Sequence, residues 1–256
     1  MILILLHTVS NAFNLVQSGY QLAQNLKKEV GLMIYVEKES EVEAKKNEIE
    51  SFFAKNGFEN VKVIVRSGSA KNLAQDCEKI ESSFLFIQWT EKQKRQLKAY
   101  LKYCRDLRIP YLFFKDEFSE INFEKVLLTV SFLIEDYEKT QFASAFGRFC
   151  GSDITVLQAN DYGSKAARTV EKMKQIFDKF DYTYKVEKAK ADSFKLDKES
   201  VQKAENENYD ILILSASRDY GLDDIIFGPK ELHLVRKSRV PILLVNPRGD
   251  LYTLCD

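Results

Sequence analysis

The densest set of groups able to hold an anion lies at residues 210–230, in the run Asp-Ile-Leu-Ile-Leu-Ser-Ala-Ser-Arg-Asp-Tyr-Gly-Leu-Asp-Asp-Ile-Ile-Phe-Gly-Pro and the lysine that follows. An apolar strand pattern ends at Ser215, a loop carries Arg218, Gly221 and Gly228, and a helical pattern opens with Lys230. Glycines let backbone N–H groups approach phosphate oxygens, and a helix start adds partial positive charge. A guanidinium such as that of Arg218 can grip a phosphate through two hydrogen bonds. Ser131, at the end of an earlier strand pattern, would face the same cleft. Two residues oppose this chemistry. Pro229 offers neither a hydroxyl nor an N–H, and Glu231 places negative charge where a phosphate would sit.

The remaining reactive residues form no constellation. His7 closes the first strand pattern, but no nucleophile or orienting carboxylate accompanies it, and a satisfied structural histidine is expected there. His233 sits in the last helical pattern and also reads as structural. Cys77, Cys104 and Cys150 fall in apolar helical patterns as reduced core residues, and Cys255 lies in the tail. With two histidines and no CxxC pair, a zinc site is not expected. Gly163-Ser164-Lys165 is too sparse for a phosphate loop, and paired carboxylates and a serine elbow are lacking. The basic stretch 91–108 reads as the solvated side of an amphipathic helix, with an anion- or protein-binding face as the alternative. Trp89 reads as core.

These residues need a scaffold, and the sequence carries its ending twice. Arg108-Ile109-Pro110-Tyr111-Leu112-Phe113-Phe114 returns as Arg239-Val240-Pro241-Ile242-Leu243-Leu244-Val245. Each copy follows a helical stretch and closes a series of alternating strands and helices, so a period near half of the 256-residue chain implies two copies of one unit. In the first half strands are expected at 2–6, 32–36, 61–65, 84–89 and 110–115. In the second they are expected at 125–130, 154–158, 182–187, 210–214 and 241–246. Helical patterns lie between them, including one over 136–150 with Phe142, Ala145, Phe146 and Phe149 inward, one over 164–180, and a shorter one around Val201 and Ala204. Such alternation predicts right-handed βαβ units. The fold class is therefore α/β, in two tandem units at 1–118 and 122–256, each a five-stranded parallel sheet with helices on both faces. Ligands of such sheets bind at the strands' carboxyl ends, where strand order reverses.

The 210–245 segment resembles the C-terminal signature of the universal stress protein family. Nucleotide binders of that family carry glycine, two residues, glycine, nine residues, then glycine with serine or threonine. Here the spacing persists, with Ser215 and Arg218 at the first two glycine positions, Gly228 at the third and Pro229 at the hydroxyl position. Ile225-Ile226-Phe227 before Gly228, the helix from Pro229 and the Val240-Pro241 strand also fit. The whole chain is similar to a tandem form of the family, the first half being the more divergent. The resemblance implies an adenine nucleotide, ATP, as ligand. It also implies an acidic contact after the first strand, where Ser131 stands with Glu135 and Asp136 shortly beyond. No glycine occurs between Gly68 and Gly147, so the first unit cannot form the cradle.

The expectation is a non-enzymatic stress-response or regulatory module with degenerate nucleotide sites and no required cofactor, acting through an unidentified protein partner or small ligand. The alternative is an ATP-binding protein using Ser131, Ser215, Arg218, Gly221, Gly228 and Lys230. Equal numbers of basic and acidic residues, 38 each, argue against nucleic acid. The apolar start, residues 1–6, is too short to span a membrane. Unpaired cysteines suggest a cytoplasmic location. The two halves would make an intrachain pseudo-dimer, with a further homodimer left open.

Overall fold

The computed structural model describes residues 1–217 and 228–248, and the chain divides into two compact units between Ile121 and Asn122. The first contains β1 (Ile2–Leu6), α1 (Phe13–Asn25), β2 (Val30–Val36), α2 (Val42–Asn56), β3 (Val61–Ser67), α3 (Leu73–Lys79), β4 (Phe84–Trp89), α4 (Leu97–Cys104) and β5 (Tyr111–Lys115). The second contains β6 (Lys125–Val130), α5 (Lys139–Ala145), β7 (Asp153–Gln158), α6 (Lys165–Phe177), β8 (Tyr184–Lys188), α7 (Leu196–Asn206), β9 (Ile211–Ser215), α8 (Lys230–Lys237) and β10 (Ile242–Val245).

Within the first unit the strands run in the order β3-β2-β1-β4-β5, all parallel. The second repeats it as β8-β7-β6-β9-β10. The central strands are continuous apolar runs because both of their faces are covered. Every residue of β1, β4, β5, β9 and β10 is buried. The edge strands β3 and β8 are largely accessible and carry charged residues. Helices α3 and α4 pack together, as do α5 with α6 and α7 with α8. That grouping follows from right-handed crossovers on either side of the order reversal. The α/β class of two five-stranded parallel sheets is thus observed.

Local chemistry sets the helix ends. Asn56-Gly57 stops α2 because Gly57 takes φ +72°, a left-handed conformation open to glycine. The join between units is held at both ends rather than loose. Ile121 donates its N–H to Ser18 Oγ at 3.0 Å, and Asn14 Nδ2 donates to the Phe118 carbonyl at 3.1 Å. Phe123 stacks on Phe146 with centroids 5.6 Å apart.

Two expectations are corrected. The 136–150 helix is a 3-10 turn (Ile134–Glu138), then α5, then a π-turn (Phe146–Cys150). The wider π-turn rotates the last residues off the apolar face. Phe149 is therefore 46% exposed beside Arg148, and Cys150 is half-buried rather than core. The basic 91–108 stretch is a 3-10 turn (Glu91–Gln96) followed by α4, which buries Leu97, Leu101 and Cys104. The shorter helix expected around Val201 and Ala204 is observed as the eleven-residue α7, which buries both.

Candidate functional site

In each unit the strand order reverses beside the first strand, between β1 and β4 and between β6 and β9. The first two residues beyond that strand are His7 and Thr8 in one unit and Ser131 and Phe132 in the other. The two successive N–H groups there are the donors that an anion nest would use, so their partners decide what the crevice can hold.

In the first unit the partner is Gln88, next to last in β4 and 2% exposed. Its Oε1 accepts from His7 N–H at 2.8 Å and Thr8 N–H at 3.0 Å, while its Nε2 donates to the Ser10 carbonyl at 3.2 Å. One carboxamide thus saturates the nest and ties the following loop to β4.

In the second unit the acceptor is ionic. Asp136 Oδ2 accepts from Ser131 N–H and Ser131 Oγ, both at 2.5 Å. Asp136 Oδ1 accepts from Lys139 Nζ at 2.6 Å and Ser215 Oγ at 2.7 Å, and Lys139 Nζ also reaches Thr129 Oγ1 at 3.2 Å. Asp136 is 2% exposed and Lys139 fully buried. Burial alone would push the carboxyl up, but the Lys139 ammonium and the donors of Ser131 and Ser215 outweigh it and hold Asp136 below the usual carboxylate range. The other nest donor, Phe132 N–H, is taken by Ser193 Oγ at 2.9 Å, and Ser193 donates in turn to Asp161.

The sequence-predicted residues partly converge. Ser131, Ser215 and Lys230 line one cavity with Asp136, Asp197 and Phe194, but its volume is about 170 Å3. Pockets for drug-sized ligands hold about 300–1,000 Å3. The Lys230 ammonium is paired with Asp197 at 2.8 Å. Gly228 is held by packing: it has φ +85°, and a Cβ there would stand 2.3 Å from Leu232 Cδ2. Its conformation and close contact explain the glycine without a ligand. Glu231, expected to repel a phosphate, is 1% exposed and accepts from Ser217 Oγ at 2.7 Å and Ser217 N–H at 3.3 Å. Burial pushes its carboxyl above the ordinary value. Arg218 and Gly221 lie outside the described residues.

Sequence reasoning missed Gln88, Lys139, Asp197 and Ser193. Asp136 and Lys139, three residues apart just after a strand, were the one legible signal. His7 is only half satisfied: Tyr100 Oη lies 3.5 Å from Nδ1, while Nε2 is buried without a hydrogen-bond partner. His233 is exposed on α8. Trp89 is buried, as expected, at 6% exposure.

Burial pushes the His7 imidazole down to about 4. An unfolded histidine titrates near 6.5. Between those values the unfolded chain holds a proton that the folded chain does not, so the contribution is lost as pH falls from about 6.5 to 4. Between pH 7 and pH 5, urea denaturation should show the wild type losing on the order of 1–2 kcal/mol more than His7→Phe. Equal losses would show that the folded imidazole protonates freely.

A groove of about 820 Å3 lies elsewhere, between α3 and α4. Lys71, Lys102 and Arg108 there face Glu78, Glu81 and Asp106, a balance that selects no ligand charge. Among the described residues, no group of three or more His, Cys, Asp or Glu could hold a metal ion, and no helix is long and apolar enough to cross a membrane.

No family model matches the chain, and no curated protein matches it in sequence. Solved structures do match. A universal stress protein from Archaeoglobus fulgidus DSM 4304 superimposes with a TM-score of 0.65 at 16% identity, over 96% of this chain and 98% of that one. A putative universal stress protein from Pseudomonas aeruginosa UCBPP-PA14 gives 0.63 at 12% identity, over 96% and 92%. The cytoplasmic domain of a prokaryotic cation chloride cotransporter gives 0.55 at 12% identity, over 94% and 93%. The chain thus has the fold found in universal stress proteins.

Proposed function

We propose that this chain is a tandem universal stress protein that has given up the nucleotide sites of that family and works as a non-enzymatic stress-response module through contact with another protein. The observation that carries this reading is the internal saturation of both nests, by Gln88 in the first unit and by Asp136 with Ser193 in the second. A phosphate entering either crevice would have to displace a buried group that already makes several hydrogen bonds. Likeness over 96% of the chain to a universal stress protein supports the tandem part of the reading. The cotransporter domain is a second instance of this fold at similar length. In the second crevice Lys139 is committed to Asp136 and Lys230 to Asp197, and the buried Glu231 carboxyl stands beside them, so these two lysines have little charge left for a polyanion.

The test is thermal unfolding with and without ATP and magnesium. A ligand at about 100 times its dissociation constant stabilises the folded state by about 2.7 kcal/mol. The expected result is an unchanged melting temperature at millimolar ATP. A rise that grows with ATP concentration, and is abolished by Arg218→Ala, would establish the nucleotide-binding alternative instead.

A further inference from the structure

The geometry points to a docking groove for an acidic, amphipathic segment of another protein, formed by the loop after β6 and one face of α6. This rests on the reading that the chain acts through protein contact, and it specifies where and with what chemistry.

The groove holds about 580 Å3. Its apolar lining is Phe132, Leu133 and Ile134, of which Leu133 is 36% and Ile134 53% exposed. Phe132 also meets Phe194, with centroids 5.4 Å apart, and Phe194 is 85% exposed. The loops after β6 and β8 thus present adjoining large apolar groups to solvent. Contiguous exposed apolar surface of this kind marks interaction sites in soluble domains.

The opposite wall carries Lys165, Arg168 and Lys172, spaced i, i+3 and i+7 on one face of α6. All three are exposed, and none has a carboxylate of a described residue within ion-pair distance. Lys174, Lys185, Lys203 and Lys230 of the same unit each have one. The lining also includes the Glu135 carboxylate, which is buried and has a partner of its own. An apolar floor beside three exposed cations complements a segment whose apolar side chains alternate with Asp or Glu at helical spacing.

An anionic membrane fits less well. Helix α6 turns its own apolar residues Ala166, Val170, Met173 and Phe177 into the core, so the exposed apolar groups stand across the groove on loops and not on the helix that carries the cations.

The experiment uses the full chain and fluorescence anisotropy. One labelled helical peptide carries leucines at i, i+3, i+4 and i+7 with glutamates elsewhere, and a counterpart carries lysines instead. The acidic peptide should bind about tenfold or more tightly than the basic one, and its affinity should fall severalfold as salt rises toward about 1 M. Ile134→Glu and Arg168→Glu should each weaken it by about tenfold, while Arg168→Lys should retain it. Both sites are exposed, and unchanged circular dichroism checks that the variants fold. The proposal is overturned if the acidic peptide does not bind, if the two peptides bind alike, if the variants bind as the wild type does, or if phosphatidylserine vesicles capture the chain in preference to the peptide. A melting temperature raised by ATP would remove the functional reading and leave these peptide results standing. Failure of the peptide would remove the groove while the ATP result still judged the function.

Discussion

Replacing Asp136 by alanine should cost about 3–5 kcal/mol of folding stability, because it strands the Lys139 ammonium in the protein interior. Lys139 is fully buried, and its described partners are the Asp136 carboxylate at 2.6 Å and the Thr129 hydroxyl at 3.2 Å. The same carboxylate also accepts from Ser131 N–H, Ser131 Oγ and Ser215 Oγ, so three further donors lose their acceptor. Total stabilities are commonly about 5–15 kcal/mol, and a loss of this size should be plain in a urea titration. Asp136→Asn should fare almost as badly, since it keeps the shape but not the charge. The double variant Asp136→Leu with Lys139→Met should recover most of the loss, because apolar replacement of both members of a buried pair is often neutral or better. A single variant within about 1 kcal/mol of wild type would mean that water reaches the lysine and the pair is not sealed. The sign with pH follows from the lowered carboxyl. Its stabilisation is complete above the unfolded value of about 3.9 and is lost as pH falls below that value through the folded one.

The second large effect belongs to the first unit. Gln88→Leu keeps the approximate size of the side chain but deprives His7 N–H and Thr8 N–H of their acceptor, and leaves the Ser10 carbonyl without its Nε2 donor. A buried donor left unsatisfied costs about 1–3 kcal/mol. The two amides together put the expected loss at about 2–4 kcal/mol in chemical denaturation. Gln88→Glu preserves the acceptor but not the donor and should fall between the two. If Gln88→Leu matches wild type, the nest is open to solvent and the crevice is not closed by the protein's own groups. That result would also weaken the proposal that the first unit takes no anion.

The fold was legible because its evidence is local and repeated. Five-residue apolar runs such as Ile2–Leu6 can be covered only from both sides, and the Arg-x-Pro strand endings at 108–114 and 239–245 mark equivalent places in two copies. Gly57 was readable as a helix stop because a single left-handed residue is a one-position requirement. The site was legible only in outline. Ser131, Ser215 and Lys230 do share a cavity, but what fills it depends on which residues meet across strands. Gln88 looks like any polar residue in a strand, and its role appears only once the pairing of β1 with β4 sets it beside His7 and Thr8. Phe149 followed the helical period correctly as far as sequence could show. The π-turn that swings it outward is a backbone choice between i→i+4 and i→i+5 bonding that side-chain periodicity does not encode.

The chain has a single tryptophan, Trp89, buried at the end of β4 with the Lys115 ammonium 5.5 Å from its ring centre. Its emission therefore reports on the first unit alone, and a red shift on denaturation dates the loosening of the β4 end. Far-ultraviolet ellipticity, by contrast, sums the helices of both units. Following both signals in one melt separates the two units without labels: a fluorescence curve that leads or lags the ellipticity curve means that they come apart in sequence, and coincident curves mean that they unfold as one cooperative body.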